Sequence, residues 1–236
     1  MVRSELIRRS PLRIFEKSIH GGLGPGNIGV VASKKGVGKT ACLVHIATDK
    51  LFQGKHVIHV SFSAKVDHII NWYEDIFKEI AKKRNLESAV EVHDEIIRTR
   101  VIMNFNQRGI KTDQILNSLR ALIKDGNFAA DAVIFDGYDI SQIEPDGLDK
   151  IRDFAGEANL EIWFSVSLGE KGNDDVFDEA GIPYLTKPII DSVTVLITLR
   201  YVEEHVHLQV IKDHEELRPR DMNLMLDPST LLVAED

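Results

Sequence analysis

The segment whose residue types best fit a chemical role is VVASKKGVGKT, residues 30–40. Its end combines Gly36 and Gly38 with Lys39 and Thr40, an order typical of loops that bind phosphate groups. In such a loop, backbone N–H groups and the N-terminus of the following helix face the phosphates. The lysine contacts the phosphates and the threonine hydroxyl binds Mg²⁺. The segment therefore predicts a site for a nucleoside triphosphate with magnesium.

The beginning of this loop departs from the usual pattern. A glycine is expected five residues before Gly38, and Ser33 stands there instead. Serine can replace this glycine if its backbone φ angle stays negative, so we expect phosphate binding to survive. Lys34 and Lys35 add positive charge beside the expected phosphates. The predicted nucleotide contacts are Ser33, Lys34, Lys35, Gly36, Val37, Gly38, Lys39, Thr40 and Ala41.

A second component of such a site is an acidic residue at the end of a buried apolar strand. Asp136 ends the run DAVIFD, and an acid in this position holds the magnesium ion directly or through water. The sequence therefore predicts that Thr40 and Asp136 form the metal site. Asp139 follows closely but has no specific role that the pattern predicts.

The elements that must position these residues alternate along the chain. Apolar runs predict strands at 27–32, 56–62, 100–105, 131–135 and 160–166, and helical spacing predicts helices at 39–52, 66–80 and 112–124. Strand–helix–strand alternation predicts a parallel sheet with helices on its faces. After about residue 190, alternating segments predict antiparallel strands at 192–200 and 204–212, with short pieces near 222–226 and 231–233. The expected fold is α/β, a single domain over 1–236 with an N-terminal arm at about 1–20.

Composition narrows the classes of partner and location. The formal net charge of −8 makes nucleic acid an unexpected ligand, because binding phosphate backbones requires clustered basic residues. No apolar run reaches the ~18 residues that a membrane span needs. A single cysteine, Cys42, and the absence of a secretory pattern at the N-terminus predict a cytoplasmic protein.

The segment GGLGPGNIGVV at 21–31, together with the phosphate loop, resembles the RecA/KaiC-like ATPase family, whose members carry a Gly-Gly-Leu turn before the phosphate-loop strand. Residues 54–62 and the Asp136 strand are similar to further strands of that family. The resemblance implies a RecA-type core, ATP with Mg²⁺ as ligands, and a homo-oligomeric ring or filament with the nucleotide between subunits.

The resemblance fails where hydrolytic members carry glutamates after the second strand. This chain has Ser63, Ala64 and Lys65 there, so the base that activates water is missing. Losing a general base costs about 10²–10⁴-fold in rate. We therefore expect a slow or non-hydrolysing nucleotide-state sensor that signals to a regulatory protein partner or to its own copies. In the alternative, an active ATPase takes its base from elsewhere, with Asp67 as a weak candidate and Glu74 or Asp75 behind it.

A second alternative rests on Lys34. Residues 34–40 differ at one position from the loop of ParA/MinD-like dimeric ATPases, in which a lysine at this place reaches the nucleotide of the other subunit. The long segment before the loop and the sequence Ser61-Phe62-Ser63 disfavour this reading.

Several other polar residues have types that occur in functional sites. Two histidines on one predicted strand face, His205 and His207, are too few to specify a metal site. Cys42 is expected to be a small buried apolar residue.

The resemblance implies a γ-phosphate sensor at Ser165 or Ser167. It also implies residues that reach a neighbouring subunit's nucleotide at Lys212, Arg218 or Arg220.

Overall fold

The computed structural model of the chain describes residues 10–63, 67–84, 89–105, 110–169, 176–202, 204–230 and 232–235. The strands are β1 (Ile28–Ser33), β2 (Val57–Ser61), β3 (Arg100–Asn104), β4 (Ala132–Asp136), β5 (Glu161–Ser167), β6 (Val195–Val202), β7 (His205–Asp213), β8 (Glu216–Leu226) and β9 (Val233–Glu235). The helices are α1 (Leu12–Ser18), α2 (Lys39–Phe52), α3 (Asp67–Arg84), α4 (Ala89–Arg98), α5 (Thr112–Lys124) and α6 (Gly147–Glu157). Two short 3₁₀ helices cover Ile140–Gln142 and Tyr184–Ile189.

All nine strands form one sheet in the order β3-β2-β4-β5-β1-β6-β7-β8-β9. The pairings from β3 through β6 are parallel, and those from β6 through β9 are antiparallel. The predicted α/β class, with a mostly parallel sheet and antiparallel C-terminal strands, is confirmed. β5 lies between β1, which leads into the phosphate loop, and β4, which ends at Asp136.

The parallel strands are continuous apolar runs because both faces of the sheet are covered. Every residue of β1, β2 and β4 is buried. One face packs against α1 to α4 around Trp163, and the other packs against α5 and α6 around Phe135, Phe154 and Phe164. α2 is the central helix of the first face, and all its residues except Thr40 are buried. The predicted phosphate loop therefore lies between a buried strand and a buried helix.

The N-terminal segment differs from the expected arm. From Leu12 onward it forms α1, which buries Leu12 and Phe15 in the core, and Ile19, the residue directly after the helix, is buried as well. Arg13, within the predicted arm, pairs with the buried carboxylate of Asp49 on α2. The apolar spacing of α1 explains this packing, since Leu12 and Phe15 are three residues apart and lie on one helical face. Residues 1–9 of the expected arm lie outside the described residues.

Three further elements differ from the sequence prediction. α4 and α6 were not predicted, and β8 spans Glu216–Leu226 where only a short strand near 222–226 was expected. Pro219 concealed the longer strand, because proline cannot donate a hydrogen bond to a sheet ladder. In the fold, the β7–β8 register shifts between Val210 and Lys212, opposite this proline, so an irregularity accommodates the missing donor.

Among the described residues, no helix has both the length and the apolar character needed to cross a membrane.

Candidate functional site

The candidate site lies where the parallel strands end. Ser61 of β2 is in register with Asp136 of β4, while Ser165 of β5 is in register with Val31, two residues before Ser33 at the end of β1. Because strand residues two apart share a face, Ser33, Ser165 and Asp136 belong to the face covered by α2. Ligands of open α/β sheets bind outside the carboxyl ends of the strands. The topology thus brings the phosphate loop and Asp136 to the edge that suits a ligand.

The loop backbone has the conformation that its glycines predict. Gly36 has φ of 77° and Gly38 has φ of 121°, values that side-chain-bearing residues rarely adopt. Ser33 is absent from the described non-glycine residues with positive φ, and its hydroxyl donates a hydrogen bond to the Lys34 carbonyl at 3.0 Å. The condition under which serine can replace the usual first glycine is therefore met.

The Lys39 side chain is folded onto the loop. Its Nζ donates to the carbonyls of Ser33 and Lys34, both at 3.1 Å, and approaches the Ser33 Oγ at 3.4 Å. Burial lowers the pKa of Lys39 to about 8, although the nearby Asp136 carboxylate acts in the opposite direction. A buried ammonium held by neutral oxygens is well suited to contact an anionic phosphate, which offers it stronger, charge-assisted hydrogen bonds.

Thr40 and Asp136 meet as the sequence predicts. The Thr40 Oγ1 donates to the Asp136 Oδ2 at 2.9 Å, although the two residues are 96 positions apart. Asp136 is 8% exposed, and Thr40 is the one residue of α2 that is not buried. A hydroxyl and a carboxylate are hard oxygen ligands of the kind that Mg²⁺ uses beside substrate phosphates. These two residues fit a magnesium ion.

A row of buried polar side chains, called the polar relay below, extends from Asp136 and was not predicted from the sequence. The Nδ1 of His59 lies 3.1 Å from the hydroxyl of Tyr73 on α3, and Arg100 of β3 stacks over the Tyr73 ring at 4.2 Å. The Nε2 of His59 lies 4.0 Å from the Asp136 Oδ2 and has no hydrogen-bond partner among the described residues. The one available signal was a histidine inside the apolar run HVIHVSF.

The electrostatics of this relay keep His59 neutral. Burial lowers the pKa of His59 to about 4, with Asp136 raising it and Arg100 lowering it further. Burial also raises the pKa of the Tyr73 hydroxyl and lowers that of the Arg100 guanidinium. The group facing Asp136 is thus an uncharged imidazole that leaves the carboxylate without a cationic partner on that side.

The candidate bases have other environments. Asp67 is exposed in the first turn of α3, a position where an acid interacts favourably with the helix dipole. Glu74 is bound to the His93 Nε2 at 2.8 Å, and Asp75 lies 4.0 Å from Lys78 in an exposed pair. After β2, the Ser63 hydroxyl lies 2.9 Å from the Ser61 hydroxyl. Ala64 and Lys65 lie outside the described residues.

Two serines end β5 in different surroundings. The Ser165 Oγ is buried and accepts a hydrogen bond from the Gly137 N–H at 2.7 Å, which ties β5 to the turn directly after Asp136. Ser167 is exposed beside the register position of Ser33. Ser165 therefore shapes the Asp136 turn, and its predicted role as a phosphate sensor stays a prediction.

The basic residues expected to reach another subunit mostly make contacts within the chain. The Lys212 Nζ donates to the Ile190 carbonyl at 2.6 Å, and Arg220 contacts Asp213, Glu216 and the Ser18 carbonyl. Arg218 is exposed.

The remaining candidates fall outside the site. Cys42 is fully buried in α2, and burial raises its pKa to about 12, as expected of an inert apolar cysteine.

His205 and His207 lie on β7 without a third ligand among the described residues, whereas His20, Asp213 and His214 converge elsewhere. Asp139 caps a 3₁₀ helix by accepting from the Ser141 N–H at 3.1 Å.

The sequence matched no protein-family model, and a search of curated proteins found no similar protein.

Proposed function

We propose that this chain binds ATP with Mg²⁺ through residues 33–41 and Asp136, and that it acts as a nucleotide-state sensor with slow or no hydrolysis. The observation that carries the proposal is the 2.9 Å contact between Thr40 and Asp136, beside a loop that holds the buried Lys39 ammonium. This combination of a glycine-rich turn, a lysine, a hydroxyl and a strand-end carboxylate suits a phosphate–magnesium ligand better than an ordinary surface turn.

Slow turnover is supported by the surroundings of the acids on α3. Glu74 is engaged by His93, Asp75 is exposed, and Asp67 is exposed at the helix start. Near β2, the described position after the strand offers the Ser63 hydroxyl, a poor base at neutral pH. ATP would therefore stay bound long enough for a regulatory protein partner to recognise the ATP-bound form.

The relay from Asp136 through His59 to Tyr73 supports a sensing role. It links the predicted magnesium site to α3. The Nε2 of His59, which has no hydrogen-bond partner within the described part of the chain, can gain one if Asp136 shifts on binding. Satisfying a buried polar group is worth about 1–3 kcal/mol, enough to favour one arrangement of α3 over another.

The fold assignment within this proposal is a RecA/KaiC-like core. It is supported by the Gly-Gly-Leu turn directly before β1, where Gly21 and Gly22 have φ of 99° and 122° and Leu23 is buried. The Asn27 amide donates to the Leu23 carbonyl at 2.8 Å and so fixes this turn. A homo-oligomer with nucleotide between subunits is the assembly that the resemblance implies.

The proposal is tested by measuring two quantities on the same protein. Binding of a fluorescent ATP analogue with Mg²⁺ is titrated while phosphate release is followed, for the wild type and for Lys39→Ala. Lys55→Ala is the matched control, because Lys55 precedes β2 at the opposite end of the sheet. We expect binding that Lys39→Ala abolishes and Lys55→Ala preserves, with little phosphate release.

Other outcomes separate the alternatives. Lys39-dependent phosphate release at an ordinary ATPase rate would overturn the sensor and favour an active enzyme. Asp67→Asn would then show whether that residue supplies the base, and Lys34→Ala whether a dimeric arrangement using Lys34 operates. Absence of any nucleotide binding would overturn the whole proposal.

A further inference from the structure

Two turns far apart in sequence meet at one buried carboxylate. His20 follows α1, and His214 forms the tip of the β7–β8 hairpin directly after Asp213. Both histidines have left-handed backbone conformations, with φ of 51° and 56°. Such values are uncommon for residues other than glycine, and a side chain is held there only when the surrounding structure requires it.

The two imidazoles face opposite oxygens of the same side chain. The Nδ1 of His20 lies 2.7 Å from the Asp213 Oδ2, and the Nδ1 of His214 lies 2.8 Å from the Asp213 Oδ1. One ligand atom from each residue can be chosen so that all three lie within 4.8 Å of one another. Asp213 is 1% exposed, while the side chains of His20 and His214 are 63% and 38% exposed. The carboxylate is thus fixed, and both rings are open to solvent.

We propose that His20, Asp213 and His214 form a binding site for a divalent transition metal, with Zn²⁺ as the best fit. Two imidazole nitrogens and one carboxylate are a ligand set typical of zinc, and a bound water would complete four-coordination. Mg²⁺ and Ca²⁺ prefer all-oxygen ligands, so this site is chemically distinct from that of Thr40 and Asp136.

The geometry requires only a small adjustment. Tetrahedral zinc with bonds of about 2.0–2.2 Å separates neighbouring ligand atoms by about 3.3–3.5 Å. The present nitrogen–oxygen distances of 2.7 and 2.8 Å are hydrogen bonds, so each Nδ1 must lose its proton and retreat slightly. The exposed rings of His20 and His214 can make that movement, and zinc uptake would release the Nδ1 protons or shift them to Nε2.

Arg220 supplies support outside the ligand set. Its guanidinium contacts the Asp213 Oδ2, the Ser18 carbonyl at 2.6 Å and the Glu216 carboxylate at 3.1 Å. Asp213 can therefore bind metal through Oδ1 while Oδ2 stays hydrogen-bonded, as ligating carboxylates commonly are. The arginine charge opposes a dication, and Glu216 offsets that charge.

Metal at this site would link the segment after α1 to the β7–β8 hairpin, two parts of the fold that are far apart in the sequence. α1 packs on α2, and the β7–β8 hairpin belongs to the antiparallel part of the sheet. Bound zinc would hold the end of α1 against the hairpin tip and so stabilise the folded state in proportion to its affinity. This inference is independent of nucleotide binding, because none of the three ligands belongs to the phosphate loop or the Asp136 strand.

The test uses the full chain after chelator treatment and dialysis. Co²⁺ is added at neutral pH and followed by visible absorption, and Zn²⁺ binding is measured by calorimetry. We expect one equivalent of metal and a rise in melting temperature with Zn²⁺ but not with Mg²⁺. His20→Asn and His214→Asn should each weaken binding at least about 10-fold, since asparagine tolerates left-handed backbone.

The matched control is the pair His205→Asn and His207→Asn on β7, which should retain wild-type binding. Absence of metal uptake by the wild type would overturn the proposal. Uptake that persists in both the His20 and His214 variants would also overturn it, as would loss of uptake in the β7 control. Circular dichroism of each variant separates loss of a ligand from loss of fold.

Discussion

Among single residues, Lys39 should set the pH range in which the proposed nucleotide site binds an anion. Its ammonium is buried against the Ser33 and Lys34 carbonyls, and burial lowers its pKa from the ordinary value of 10.5 to about 8. Below pH 8 the side chain is charged in both the folded and the unfolded chain. Between the two pKa values the unfolded chain binds more protons, so this group makes the ligand-free fold more stable as pH rises.

Nucleotide affinity should therefore fall above pH 8. Phosphate binding favours the charged form of Lys39, so each pH unit above its free pKa should weaken binding up to about 10-fold. The measurement is a fluorescence titration with an ATP analogue at a series of pH values from neutral to alkaline. An affinity that stays constant through this range would contradict the proposed contact between Lys39 and phosphate.

Among the elements, the C-terminal strands β8 and β9 pack against the predicted phosphate loop and the helix that follows it. A Cβ atom placed on Gly38 would overlap the side chain of Leu226 at the end of β8. The His45 Nε2 of α2 also accepts a hydrogen bond from the Val233 N–H of β9 at 3.3 Å. β8 and β9 therefore brace the loop and α2, although they lie far from the phosphate loop in sequence.

Gly38→Ala should consequently lower stability and nucleotide binding together. The strained φ of 121° alone costs about 1–3 kcal/mol for a residue with a side chain, and overlap with Leu226 adds to this. Urea unfolding of Gly38→Ala, Leu226→Ala and the double variant measures the coupling. We expect the double variant to be less destabilised than the sum of the single variants, and simple additivity would contradict the contact.

The sequence predicted the elements with strong local signals and missed those without them. The strands β1, β2 and β4 and the helix α2 were found because long apolar runs and helical spacing need little context. β8 was predicted too short because Pro219 suppressed the strand signal, and tertiary pairing with β7 overrides that local preference. α1 falls within the predicted N-terminal arm, because its packing and its ion pair with Asp49 depend on tertiary contacts that no local pattern in the sequence indicates.

The candidate site was predictable to the same degree. Thr40 and Asp136 belong to a spaced pattern, so their contact followed from chemistry and strand order. His59 and Tyr73 have no such pattern, because an isolated histidine in an apolar run is uninformative until its neighbours are known. Their relevance appears only when α3 is packed against β2.

At the scale of the whole molecule, two buried histidines control stability in acid. Burial lowers the pKa of both His45 and His59 to about 4, with Lys83 lowering His45 further and Arg100 lowering His59. Each unfolded histidine binds its proton near pH 6.5, while the folded one stays neutral down to about pH 4. The fold is therefore most stable, as far as these groups act, above pH 6.5 and loses stability as pH falls.

The expected loss is about 3 kcal/mol for His45 by pH 4, and His59 should add a loss in the same direction. His45→Gln and His59→Gln keep a hydrogen-bond acceptor but do not titrate, so each should reduce the difference in unfolding free energy between neutral and acidic pH. Chemical denaturation at the two pH values measures this difference. A pH dependence identical in wild type and both variants would show that neither histidine is buried in its neutral form.

Self-association of the whole molecule should depend on nucleotide. If nucleotide lies between subunits, ATP with Mg²⁺ should shift the sedimentation profile to larger species, and Lys39→Ala should abolish the shift. Lys55→Ala should behave as wild type. A monomer unaffected by saturating nucleotide would contradict the oligomeric part of the proposal while leaving nucleotide binding itself intact.

The measurement that tests the central claim most directly is the magnesium dependence of ATP affinity in wild type and Asp136→Asn. Asp131→Asn is the matched control, because Asp131 precedes β4 at the amino end of the same strand and is exposed. We expect Mg²⁺ to tighten ATP binding to the wild type and to Asp131→Asn, and we expect this gain to be lost in Asp136→Asn. ATP binding that is absent, or equally magnesium-dependent in all three proteins, would contradict this expectation.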